Sequence, residues 1–173
     1  MKTDQPLILT ASISDDDLEP FDRLRREHFP PARNFLKAHV TMFHRLAGER
    51  LDEIVHALEE EAAESSAMTV RLSGIRHLGA GVAFAIDSAE LEDMHARLKS
   101  RFRPFLGGQD MQKWRPHITV QNKVTRQQAD DLYQSLSDGF TPTTIAVAGI
   151  DLWRYLGGPW QHERSTPFER PAR

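Results

Sequence analysis

Two short segments of this 173-residue chain pair an imidazole with a hydroxyl at a spacing that suits chemistry: His39-Val40-Thr41-Met42 and His117-Ile118-Thr119-Val120. Each reads His, β-branched, Thr, apolar, at the head of a strand-like run. Side chains alternate along a strand, so His and Thr share one face, while Val40 or Ile118 points to the other face with Met42 or Val120. With eight histidines and ten threonines in the chain, about half of one His-x-Thr is expected by chance. Two of them in equivalent places are therefore a signal. An imidazole with an ordinary pKa of about 6.5 lets such a pair hold one neutral and one protonated ring near neutrality. That suits proton transfer on both sides of a phosphate. One ring takes a proton from water and the other gives one to a departing ribose oxygen, while the threonine hydroxyls donate to nonbridging oxygens.

The elements that must position these groups are legible as alternating strand and helix patterns. A strand over 7–13 feeds a helix through Ser14 and three aspartates, with Leu18, Phe21, Leu24 and His28 on one face, stopped by Pro30 and Pro31. After a strand over 39–43, Leu51, Ile54, Val55 and Leu58 mark a second helix. Met68, Val70 and Leu72 alternate as a strand, and Gly79-Ala80-Gly81 joins it as a hairpin to a strand over 82–86. Asp87 with Glu90 reads as a capping box for a helix carrying Leu91, Met94, Leu98 and Phe102, which ends before Pro104. A strand begins at His117, and Thr125 with Gln128 caps a helix carrying Ala129, Leu132, Tyr133 and Leu136. Strands are expected over 145–153 and 160–163, with a tail or surface strap over 164–173.

The order strand, helix, strand, helix, strand occurs twice, so the chain reads as two half-repeats, 7–75 and 82–150, inside a single domain spanning 1–173. Setting Ile13 on Ile86 places Leu18 on Leu91, Glu19 on Glu92 and Phe29 on Phe102. A five-residue insertion in the second loop then sets His39 on His117, and Ser73-Gly74-Ile75 falls on Ala148-Gly149-Ile150.

These motifs, above all Trp114-Arg115-Pro116-His117-Ile118-Thr119-Val120, make the chain resemble the two-histidine (2H) phosphoesterases, which include bacterial 2′-5′ RNA ligases and 2′,3′-cyclic nucleotide phosphodiesterases. The resemblance covers nearly the whole chain. It implies an α+β, bilobal, pseudo-twofold fold, with two antiparallel sheets facing a central cleft and helices outside. It also implies that His39 and His117 are the acid and base, that Thr41 and Thr119 bind phosphate, and that His39 is the acid for a 2′,3′-cyclic substrate. Some family members carry an arginine five residues beyond the motif histidine. Here those places hold His44 and Asn122, with Arg45 and Lys123 one residue further on. The expected substrate is a nucleotide or RNA end carrying a cyclic phosphate, opened to a 2′-phosphate, with 2′-5′ ligation as a related outcome. A nucleotide-binding module with little catalysis is the alternative.

Other residues set the rim and the exclusions. Trp114 and Arg115 are candidates to stack on a base or pair with a phosphate, and Lys123 to extend a basic rim with Lys113 and Arg126. His44 falls opposite His39 on an ideal strand and is a poor co-ligand. With no cysteine, no His-Glu-x-x-His spacing and no phosphate-binding glycine loop, neither a metal nor a nucleotide cofactor is expected. A formal net charge of −3 gives no global field for duplex binding. The absence of cysteine, of a signal-like segment and of a membrane-length apolar run fits a cytoplasmic protein, and a bilobal chain that completes its own site is expected to be a monomer.

Overall fold

A computed structural model describes residues 4–171. Eight strands form two antiparallel four-stranded sheets. The first sheet has the order β2-β1-β7-β8, from Thr41–Leu46 (β2), Leu7–Ser12 (β1), Gly149–Tyr155 (β7) and Trp160–Pro167 (β8). The second has the order β5-β4-β3-β6, from His117–Gln121 (β5), Val82–Asp87 (β4), Met68–His77 (β3) and Thr143–Val147 (β6). The helices are α1 (Asp15–His28), α2 (Leu51–Ala63), α3 (Ala89–Phe102), the single turn α4 (Gly108–Met111) and α5 (Arg126–Asp138).

The sheet orders give the duplication a form that the sequence halves do not have. The first half puts β1 and β2 in one sheet and sends β3 into the other, where it pairs with β4; the second half puts β4, β5 and β6 in that other sheet and sends β7 back, where it pairs with β1. The half-repeats 7–75 and 82–150 are therefore not the two lobes, because each lobe borrows a strand from the other half. The matched segments Ser73-Gly74-Ile75 and Ala148-Gly149-Ile150 fall at this exchanged strand. Helices follow the same relation, with α2 packing on β7 and β8 and α5 on β3 and β4. One continuous buried cluster, including Leu7, Phe43, Leu72, Ile118 and Leu152, runs through both sheets.

Local chemistry accounts for most boundaries. Ser14 caps α1 by accepting from the Asp17 N–H, and Thr125 with Gln128 forms the reciprocal capping box of α5. At α3 the cap is Ser88, whose hydroxyl accepts from the Leu91 N–H, and not Asp87, which stays in β4 opposite Arg71. The segment read as a tail is structured as far as 170. Residues 164–167 complete β8, and the Arg170 N–H then donates to the Ser65 carbonyl. Two long-range contacts hold this strap, since Arg164 pairs with Glu59 and Arg170 with Glu64, both on or beside α2. Among the described residues, no helix is long and apolar enough to cross a membrane.

Candidate active site

Both motifs lie on edge strands, β2 of one sheet and β5 of the other. An edge leaves backbone groups without ladder partners, and these must find others if they are buried. Side chains reach across to supply them. Arg25, buried on α1, donates to the Thr119 carbonyl at 2.9 Å, and the Trp114 indole donates to the Thr41 carbonyl at 3.0 Å. His95 on α3 donates from Nε2 to the Met42 carbonyl at 2.9 Å. Each half thus fastens the motif strand of the other.

His39, Thr41, His117 and Thr119 line one cleft of about 620 Å³. The strand β2 begins at Thr41, so His39 sits two residues ahead of it, while His117 opens β5. The two rings are held alike. His39 Nδ1 lies 2.7 Å from the Lys37 carbonyl, and His117 Nδ1 lies 2.7 Å from the Arg115 carbonyl. A carbonyl can only accept, so in each ring Nδ1 carries the hydrogen and Nε2 keeps its lone pair. Burial pushes the His39 imidazole down to about 4, with smaller contributions from neighbouring positive groups including Arg25, His117 and His44. Burial also lowers His117, helped by Arg76 and Arg115. Both rings are therefore neutral in the free protein at pH 7.

The other expected site residues are divided. Arg115 is exposed on the cleft wall with Lys113. Trp114 also lines the cleft, but its ring stacks on His95 at 4.1 Å and 10°, with Phe43 on the opposite side of His95 at 4.5 Å. It braces the wall as well as facing the cleft. Lys123 does not reach the cleft: with a φ of 62° it turns into a surface hollow beside His28 and Pro31, and Asn122 takes the cleft position. Nor does His44 point away from His39. The β1–β2 ladder shifts by one residue between the Thr10–Thr41 and Leu9–Phe43 pairs, so Met42 and Phe43 are both buried and the alternation is reversed ahead of His44, which lines the same cleft.

Several residues of the cleft escaped the reading of the sequence as site groups, four of them with evident chemistry. Trp160 of β8 packs against the His39 ring at 4.8 Å, and Arg76 of β3 lies 3.3 Å from His117 Nδ1. Asp110 of α4 and Asn122 also line the cleft. None carries a motif, and they come from four separate places in the chain. Arg76 had the best available cue, a cation on the strand that pairs with β4, which in turn pairs with β5. Among the described residues, no three His, Cys, Asp or Glu side chains are grouped so as to hold a metal ion.

Two sheets with exchanged strands, one cleft and a His-x-Thr segment from each half define a duplicated two-histidine architecture. The sequence model of the 2′-5′ RNA ligase superfamily matches residues 13–159, and the chain belongs to that superfamily. Its fold is similar to that of Escherichia coli LigT complexed with 3′-AMP, at a TM-score of 0.67 and 14% identity, covering 96% of this chain and 99% of that one. A crystal structure described as a phosphoesterase matches at a TM-score of 0.66 and 15% identity, over 96% and 99% of the two chains. A Thermus thermophilus protein matches at 0.66 and 13%, over 94% and 97%. No curated protein matches the sequence.

Proposed function

We propose that this protein opens the 2′,3′-cyclic phosphate of a nucleotide or RNA end to a 2′-phosphate by two-histidine acid–base catalysis. The observation that carries the reading is the shared tether: both imidazoles give Nδ1–H to the carbonyl two residues before them and keep Nε2 for chemistry in one cleft. Thr41 and Thr119 donate to the nonbridging oxygens. The neutral ring accepts a proton from water as the water oxygen bonds to phosphorus. The protonated ring gives its proton to the 3′-oxygen as the P–O3′ bond breaks. A substrate phosphate carries the negative charge that draws the needed proton into a pair otherwise kept neutral by burial. In this reading His39 is the acid and His117 the base.

Binding of an adenylate to this cleft is supported by the LigT structures complexed with 3′-AMP and with ATP. With a hydroxyl in place of water the same transfers make or break a 2′-5′ linkage, the reaction for which the superfamily is described. One chain supplies both motifs, so the mechanism needs no second subunit.

The test is turnover of 2′,3′-cyclic nucleotides in excess chelator, with the phosphate position in the product identified. His39→Ala and His117→Ala are each expected to keep the fold and lose about 100-fold or more in kcat. Full activity in either variant sinks the proposal.

A further inference from the structure

The cleft holds a third imidazole with a built support. Asp110 is 6% exposed and comes from α4, yet its carboxylate reaches β2. One oxygen accepts from the His44 N–H at 2.8 Å and lies 3.1 Å from His44 Nδ1, and the other accepts from the Arg45 N–H at 2.8 Å. The two backbone bonds satisfy N–H groups of the bulged edge strand, and they would do so whatever side chain stood at 44. The ring contact is different, because it requires a histidine. An ionised carboxylate only accepts, so Nδ1 carries the hydrogen there, and Nε2 is left on a side chain that is 37% exposed along the cleft.

The surroundings define what that nitrogen meets. The charged and titratable groups lining the cleft are Arg76 from β3, Lys113 and Arg115 from the segment before β5, His39, His117, and His95 from α3, which lies behind with its Nε2–H committed to the Met42 carbonyl. The one carboxylate in this lining is Asp110, and both of its oxygens are already engaged. An entering ligand therefore meets donors and cations at this wall, with a counter-charge behind His44 to support its imidazolium.

We propose that His44 is a phosphate-binding residue of the cleft, donating from Nε2 to a substrate phosphate oxygen while Asp110 orients and supports the charged ring. The inference rests on the cyclic-phosphate reading for its substrate. The phosphate it meets is either the cyclic one or the next along an RNA chain.

The experiment measures KM and kcat for a 2′,3′-cyclic mononucleotide and for a dinucleotide with a 2′,3′-cyclic end. Binding of inorganic phosphate, adenosine 2′-monophosphate and adenosine is measured beside them by NMR titration. His44→Ala is expected to raise KM about tenfold, more than it lowers kcat, and to weaken both phosphate probes while leaving adenosine unchanged. His44→Arg, which keeps a cationic donor, restores most of the loss. Asp110→Asn moves KM in the same direction and adds nothing in the His44→Ala background. Should Asp110→Asn fail to fold, the two His44 variants carry the test alone. A larger effect on the dinucleotide assigns the contact to the second phosphate, and an equal effect assigns it to the cyclic one. If the wild type turns substrate over and His44→Ala leaves KM and both phosphate affinities within about twofold, the inference is overturned while the catalytic reading stands. If the wild type turns nothing over, the catalytic reading fails, and the phosphate titrations alone decide for or against His44.

Discussion

The two cleft imidazoles each commit one nitrogen to the backbone, and burial then sets when the other is protonated. With His39 pushed down to about 4 and His117 also lowered, the singly protonated pair that acid–base catalysis needs is most populated below the ordinary histidine value. The profile of kcat/KM, which reports the free protein, is therefore expected to be bell-shaped with its maximum on the acid side of pH 6.5, an ordinary imidazole's pKa of about 6.5 being the reference. A maximum above neutrality would show that burial does not govern the pair. Trp160 contributes to that burial from the side of His39. Trp160→Ala should raise the His39 titration toward the ordinary value, read by NMR, with little change at His117. Thr41→Val and Thr119→Val keep shape and remove a donor, and each should lower kcat by about 10- to 1000-fold.

The elements explain why the motif strands hold their places. An edge strand has one free side, and here that side is fastened by Arg25 on β5 and by Trp114, His95 and Asp110 on β2. Arg25 also donates from Nε to Asn34 at 3.1 Å, tying the segment that leads to His39 to the strand carrying His117. Arg25→Met leaves the Thr119 carbonyl and the Asn34 amide without this partner, and should cost about 2–4 kcal/mol in urea unfolding. Activity should fall more than the stability loss alone explains. Gly81 is a second such point. A Cβ there would lie 1.9 Å from the Gln121 carbonyl oxygen and 2.7 Å from the Asn122 Cα, both backbone atoms. Gly81→Ala must therefore shift the end of β5, and with it the cleft residue Asn122. A lowered unfolding midpoint together with a raised KM is expected, and a silent Gly81→Ala would contradict the close approach.

Over the whole molecule, neutral buried imidazoles link stability to pH. His95 is 5% exposed between Phe43 and Trp114, and burial pushes it down to about 4. Unfolded, it titrates near 6.5, so between these values the unfolded chain binds more protons than the folded one. Its stabilising contribution is complete above pH 6.5 and is lost as pH falls toward about 4, to a ceiling of about 3 kcal/mol. Urea midpoints at pH 7 and pH 4.5 should differ, and His95→Phe should shrink the difference. An unchanged difference would place the acid sensitivity elsewhere.

What the sequence determined by itself was whatever depends on neighbours in the chain. Helix stripes, the caps at Ser14 and Thr125, and the two His-x-Thr segments follow from periodicity and short spacing, and the repeated order of elements pairs His39 with His117. The tertiary structure decided what depends on strand partners far apart in the chain. The exchange of β3 and β7 between sheets leaves no local trace, since either sheet buries the same apolar face. The bulge ahead of His44 that brings it into the cleft arises from register with β1, and one residue of register reverses the side chains that follow. Lys123 was misplaced for a related reason: its left-handed backbone turns it away just where alternation from His117 stops applying. Asp110, 66 positions from His44, and Arg25, 94 positions from Thr119, meet their partners only once the two halves close on each other. Folding brings those groups together because an edge strand's unpaired backbone must be satisfied from wherever the closed chain presents a donor or an acceptor.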